Sequence, residues 1–303
     1  FIGRNGNEER VFGLSALGPP NLSTLVALCD RGAILSAAIE FNATSMGLAG
    51  VHWIGKWSLE RDRSSGAFNG DLDSEGLALL SDGRTFISTE DYPSSVYELP
   101  GLGSWGAVGG SNPTLFGRPL RLLPEHLLRG IMPNKGLESL TPLPVSNFAT
   151  TEAVVTAVEG SLKQDAVSVR RLLELDAVSG EVRREVAFLV PDTEPALMLV
   201  ELAALDAAGL AGGGQLLAFL RGWTPATGAE VRLYLLDSVG ADDVGGCQAI
   251  VGNDDSAVHA GQASERNAST CKLADIRAVQ QELLLQWKPE TPLAGIVPVD
   301  NYE

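Results

Sequence analysis

Short runs of apolar and β-branched residues alternate with turn residues along the whole chain, a spacing that predicts strands rather than helices. Leu77-Ala78-Leu79-Leu80 and Thr85-Phe86-Ile87-Ser88 flank Ser81-Asp82-Gly83-Arg84. The Asp-Gly pair supplies the positive φ of a tight turn, so the two runs read as a hairpin, with Ser95–Leu99 as a third strand. Val167 to Asp176 is joined through Ala177-Val178-Ser179-Gly180 to Glu181–Leu189. There Glu181, Arg183 and Glu185 alternate with Val182, Val186 and Phe188, which predicts a second hairpin with one wet face. Gln215 to Leu220 and Glu230 to Asp237 form another pair of strands. Leu273 to Trp287 departs from the pattern: Leu273, Ile276, Val279, Leu283 and Trp287 stand at helical spacing, although Leu283-Leu284-Leu285 suits a strand equally. The 34 glycines and 16 prolines are spread over the length rather than gathered into one linker, so the chain reads as a single all-β domain over residues 1–303.

The strand starts repeat. Asp73-Ser74-Glu75-Gly76-Leu77-Ala78-Leu79 is similar to Lys135-Gly136-Leu137-Glu138-Ser139-Leu140, and Glu201-Leu202-Ala203-Ala204-Leu205 is similar to both. Gly13-Leu14-Ser15-Ala16-Leu17 carries Ser in the acidic place. Glu75, Glu138 and Glu201 therefore open equivalent apolar strands. Repeated units of three or four strands predict a β-propeller whose innermost strands line a central channel. The strand-start acids would converge there.

At these residues the sequence resembles the phytase-like family, also described as esterase-like activity of phytase. The resemblance runs through Gly13-Leu14-Ser15 with Asp30-Arg31-Gly32, Asp73-Ser74-Glu75-Gly76, Ser88-Thr89-Glu90 and Asn134-Lys135-Gly136-Leu137-Glu138. It continues through Leu173-Glu174-Leu175-Asp176, Leu220-Arg221-Gly222, Arg232-Leu233-Tyr234, Ala241-Asp242-Asp243-Val244 and Asp300-Asn301-Tyr302-Glu303. The chain departs from the family pattern at Leu220, which stands where an acidic residue is more usual. The resemblance implies a propeller, expected to be six-bladed, with its last blade cut short after Glu303. It also implies hydrolysis of a small phosphoester or ester.

Charge narrows the chemistry. With 22 Lys and Arg against 38 Asp and Glu the formal charge is −16, which excludes a nucleic-acid-binding surface. The longest apolar stretch, Leu197 to Leu220, is broken by Glu201 and Asp206, so no membrane span is expected. The sequence starts at Phe1 rather than Met, which is expected of a mature chain, or part of one, that has lost a targeting peptide, and Asn21, Asn42 and Asn267 stand in sequons usable in a secreted glycoprotein. Cys247 and Cys271 flank a polar stretch that a disulfide could close in an oxidising compartment, whereas Cys29 reads as a small buried hydrophobe. Together these place the protein outside the cytosol: secreted, at the cell surface or in an organelle lumen.

His52, His126 and His259 are scattered without a metal or phosphatase motif, and no GxSxG nucleophile elbow exists. Gly50 to Trp57 nearly matches a P-loop, but Trp57 replaces the Ser/Thr that would bind Mg2+, so it reads as a strand. Converging carboxylates repel one another unless a proton or a cation is shared, and oxygen donors favour Ca2+ or Mg2+. The catalytic candidates are Glu75, Glu138, Glu201, Arg31 and Arg221, the arginines holding substrate oxygens or else pairing with the glutamates. Glu75, Glu138, Glu201 and Glu303 are the metal candidates, with Asp30, Glu90, Asp300 and Asn301 as further channel residues. The alternative is a propeller without catalysis, a binding or assembly subunit that meets a protein partner at its rim in an extracytoplasmic complex.

Overall fold

The computed structural model describes residues 14–21, 24–30, 32–42, 47–61, 72–80, 82–90, 93–99, 114–120, 123–143, 153–193, 195–205, 209–252 and 269–288. The fold is all-β. The first strands are β1 (Leu14–Asn21), β2 (Thr24–Cys29), β3 (Ala33–Phe41) and β4 (Leu48–Arg61), each antiparallel to the next. β5 (Ser74–Leu79), β6 (Thr85–Thr89), β7 (Ser95–Leu99) and β8 (Thr114–Pro119) repeat the arrangement, and β4 joins β8 in parallel to make one eight-stranded sheet. A short helix, α1 (Glu125–Gly130), leads to a four-stranded sheet of β9 (Leu137–Pro142), β10 (Ala153–Val158), β11 (Val169–Asp176) and β12 (Val182–Leu189). β13 (Met198–Ala204), the single turn α2 (Gly209–Gly212), β14 (Gln215–Thr224) and β15 (Gly228–Asp237) follow. β16 (Ala249–Val251) and β17 (Thr270–Lys272) make a parallel pair, and β18 (Gln280–Trp287) completes the sheet β13-β14-β15-β18.

The repeat sets the packing. β1 lies beside β5, β5 beside β9, and β9 beside β13, so the sheets follow one another with their first strands adjacent. Apolar cores fill the spaces between them. Val26, Leu28, Ile34 and Trp57 meet Leu77, Ile87 and Tyr97 between the first two units. Phe86 and Val96 meet Leu127, Leu140 and Val154 between the second and third. Val186 and Phe188 meet Leu199, Leu216 and Tyr234 between the third and fourth, with the Phe188 and Tyr234 rings edge to face at 6.0 Å. Each buried Leu, Phe or Val contributes on the order of 1.5–3 kcal/mol.

Local chemistry follows the expected turns. Gly83 has φ +89°, and its N–H donates to Leu80 O at 3.0 Å. Gly50 to Trp57 lies within β4, Cys29 is free and buried, and Cys247 is bonded to Cys271. Among the described residues no helix is long and apolar enough to cross a membrane.

Two expectations are corrected. Leu273–Asp275 is a 3-10 turn, and Gln280–Trp287 is a strand paired with β15 along Val231↔Trp287 to Asp237↔Gln280. The helical spacing loses to tertiary hydrogen bonding, because β15 needs a partner along its edge. Glu185, expected on a wet face, is 1% exposed. It accepts from Arg171 Nη1 and lies 3.2 Å from His126 Nε2. Arg171 also donates to Asp165 at 2.7 and 2.9 Å and to Cys247 O at 3.0 Å. The buried ions thereby tie the disulfide-closed loop to the third sheet.

Candidate functional site

Each first strand carries a bulge near its start, at matching positions in β1, β5 and β9 and one residue earlier in β13. In β1 the register slips between Leu14↔Cys29 and Ala16↔Leu28, leaving Ser15 as the extra residue. In β5 it slips between Ser74↔Thr89 and Leu77↔Ile87, around Glu75 and Gly76. In β9 Glu138 falls between Leu137↔Val158 and Ser139↔Ala157, and in β13 Val200 is extra beside Glu201↔Phe219. A bulge re-aims the side chain next to it. Glu75 and Glu138 are thus turned out of the pleat at equivalent points, and Glu201 follows at the same spacing of 63 residues.

A second set of repeat positions follows the second strands. Asp30 comes after β2, Glu90 after β6 and Glu159 after β10, while in the fourth unit Leu220 takes that place, paired with Leu199 inside β14 and followed by Arg221. The Glu90 N–H donates to Asp73 O at 3.0 Å, and the Glu159 N–H to Gly136 O at 2.9 Å, two residues before Glu75 and Glu138 respectively. Across the unit boundaries, Ser74 N–H donates to Asp30 O at 3.3 Å and Leu199 N–H to Glu159 O at 3.1 Å. At the middle boundary there is no room for a side chain: a Cβ on Gly136 would stand 2.7 Å from Glu90 Cα. Beside it, a Cβ on Gly76 would stand 2.4 Å from Leu140 N, so β5 and β9 touch backbone to backbone.

These contacts gather five carboxylates. Oxygens of Asp73, Glu75 and Glu90 lie within 4.8 Å of one another, and so do oxygens of Glu90, Glu138 and Glu159. Glu90 and Glu159 are buried, at 8% and 4% exposure, and Glu90 Oε1 has no hydrogen-bond partner. Lys135 Nζ donates to Glu159 Oε2 at 2.6 Å. The Lys135 stem passes Gly160, where a Cβ would be 3.6 Å away. Arg170 adds a second positive charge near Glu159, although burial lowers its pKa to about 10 and its donors go to the carbonyls of Val167, Val169 and Leu197.

Burial raises the pKa of Glu138 well above the carboxylate range, and the charges of Glu159, Glu75 and Glu90 push the same way. Burial and the Glu159 charge raise Glu90 also, opposed by its hydrogen bond with Glu138. The two titrate as one unit that keeps a proton at neutral pH.

The structure brings Glu75, Glu138 and Glu90 together. Glu201 stands apart from both groups: burial lifts its pKa to about 7, and its carboxylate accepts the Leu202 N–H at 2.9 Å. Asp30 is half-buried, with its carbonyl at the first boundary, and Arg221 is exposed on β14. Arg31, Asp300, Asn301 and Glu303 lie outside the described residues, as does His259. Asp73, Lys135 and Glu159 join the centre without having been singled out. Asp73 and Lys135 stand inside the recognised motifs. The signal for Glu159 was its place after a strand, in Val158-Glu159-Gly160, matching Thr89-Glu90.

A family model for phytase-like proteins, described as esterase-like activity of phytase, matches residues 9–303, nearly the whole chain. No curated protein matches it.

Proposed function

We propose that this chain, which belongs to the phytase-like family, is a divalent-metal-dependent hydrolase of phosphoesters or related esters, acting at the acidic centre between its second and third units. The observation that carries this reading is the convergence of Asp73, Glu75, Glu90, Glu138 and Glu159, with Glu90 Oε1 buried and unpartnered. The donor set fits Ca2+ or Mg2+, being oxygen alone, and oxygens around one Ca2+ at roughly 2.4 Å lie no farther apart than about 4.8 Å. Glu90, Glu138 and Glu159, or Asp73, Glu75 and Glu90, would hold the ion. When bound, it supplies charge neutralisation for phosphate oxygens and an activated water. The protein's own groups do the rest. Lys135, with its side chain 30% exposed, presents an ammonium at the margin of the centre for a substrate oxygen. Buried Glu159 fixes that ammonium, and the abutting backbones of β5 and β9 keep water from one side. Glu201 and Arg221 of the fourth unit, and Arg31, complete the set of substrate-facing candidates.

In this reading the repeats are blades of a six-bladed propeller whose first strands line the channel, and residues 1–303 form one domain. The apolar interfaces between successive units support it. So does the outer face of the fourth sheet, where Phe219 and Trp223 are 37% and 53% exposed and where a further blade would pack. The Cys247–Cys271 bond supports an oxidising, extracytoplasmic setting. The test is hydrolysis of p-nitrophenyl phosphate and p-nitrophenyl acetate by the chelator-treated protein, before and after adding Ca2+ or Mg2+. Turnover restored by the ion is expected. No hydrolysis under any condition would overturn the reading in favour of a binding or assembly subunit.

A further inference from the structure

We infer that the acidic centre is built for two divalent cations that share the Glu90 carboxylate. The inference rests on the reading of the centre as a metal site and adds to it the number of ions and the bridging residue. The five carboxylates do not form one group within 4.8 Å. They form two, Asp73-Glu75-Glu90 and Glu90-Glu138-Glu159, and Glu90 alone belongs to both. Each group matches the spread of donors around one ion, whereas a single ion would leave at least two of the five without a share. A carboxylate has two oxygens and bridges readily. Glu90 is the member that is more than nine-tenths buried with an oxygen, Oε1, that nothing in the protein satisfies.

The repeat explains why Glu90 serves both sides. In the second unit the residue two before the bulge glutamate is Asp73, which supplies a third carboxylate from the unit itself. In the third unit that position is Gly136, and the Glu90 backbone fills the space a side chain would take. The third donor there comes from the neighbouring unit. Paired ions are the arrangement that clamps both the attacking and the leaving oxygen in phosphoester displacement.

The experiment counts ions. Chelator-stripped full-length chain is titrated with Mn2+ alone, bound metal is measured by equilibrium dialysis, and the loaded protein is examined by electron paramagnetic resonance. Two Mn2+ per chain with an exchange-coupled signal are expected. Asp73→Asn and Glu159→Gln should each retain one uncoupled Mn2+, and Glu90→Gln should weaken both sites at least tenfold. Far-UV circular dichroism establishes that each variant is folded. One Mn2+ per wild-type chain would overturn the shared-carboxylate centre while leaving a single-ion hydrolase standing. Two ions whose number neither Asp73→Asn nor Glu159→Gln changes would overturn it as well. No bound Mn2+ would overturn both this inference and the metal-dependent reading beneath it.

Discussion

Replacing Glu138 with Gln should stabilise the metal-free protein and destabilise the metal-loaded one relative to wild type. Glu138 has oxygens within 4.8 Å of both Glu90 and Glu159. Two ionised carboxylates at that distance repel by about 3.5 kcal/mol at an effective dielectric near 20. Two such pairs would cost about 7 kcal/mol, more than it costs to keep Glu138 protonated, so the metal-free protein takes the proton instead. Holding a carboxyl of ordinary pKa 4.5 neutral at pH 7 costs about 3 kcal/mol. Gln is neutral without that cost and retains a donor toward Glu90, so Glu138→Gln should gain up to about 3 kcal/mol at pH 7 in chelator. Both proteins should be equally stable near pH 4, where Glu138 is protonated in either state. Adding Ca2+ at a hundred times its dissociation constant should raise wild type by about 2.7 kcal/mol and the variant by much less, so that the difference shrinks or inverts. Urea unfolding at pH 4 and 7, with chelator or with Ca2+, measures all four values. A variant less stable than wild type in chelator at pH 7 would show that the carboxylates are already compensated and would refute the electrostatic argument.

Further outcomes follow from the same geometry. In chelator, wild type should lose stability as pH rises from about 4.5 through neutrality, because the raised pKa values of Glu90 and Glu138 make the folded state bind more protons than the unfolded one; saturating Ca2+ should flatten that slope in urea titrations. Gly136→Ala should cost on the order of 1–3 kcal/mol and weaken Mn2+ binding, since its Cβ meets Glu90 backbone that has no rotamer with which to move aside. Arg171→Met should cost about 3–5 kcal/mol in thermal or urea melts by leaving Asp165 and Glu185 buried without their cation. The double change Cys247→Ala with Cys271→Ala should cost about 3 kcal/mol through the loop it releases, with the acidic centre still binding Mn2+.

The hairpins and the repeat were legible because they depend on local chemistry. Asp82-Gly83 demands a turn whatever surrounds it, and the apolar runs after Glu75, Glu138 and Glu201 are long enough to show equivalence. The bulges were not legible, since a bulge belongs to the register between two strands and neither strand's residues mark it. Glu159 went unnoticed for a related reason: it follows the wholly apolar Ala153–Val158 except for Thr156, and reads as the first solvated residue after a strand. It is buried where its N–H meets Gly136 O and its carbonyl accepts the Leu199 N–H. Glu185 misled in the opposite sense. Its alternation with Val186 matches a half-exposed strand, but Arg171 and His126 reach it from β11 and α1, and a long-range ion network leaves no periodic trace.

The repeat also separates what the fold requires from what the centre adds. At or beside the bulge the four units carry Ser15, Glu75, Glu138 and Glu201, and β1 makes its bulge with Ser15. Two residues before these positions stand Gly13, Asp73, Gly136 and Leu199, and Leu199 donates the same kind of boundary hydrogen bond that Ser74 does. After the second strand, the equivalent set is Asp30, Glu90, Glu159 and, paired with Leu199, Leu220. No position of the repeat therefore needs a carboxylate to hold its backbone. Apolar or hydroxyl side chains serve at one unit or another, and burying an acid costs several kcal/mol that they do not. The acids are concentrated where the second and third units meet, at the boundary drawn tightest by Gly76 and Gly136. A cost that falls mostly at one boundary of a repeating fold, and is borne by residues the other boundaries largely replace, is what the proposed metal centre would require.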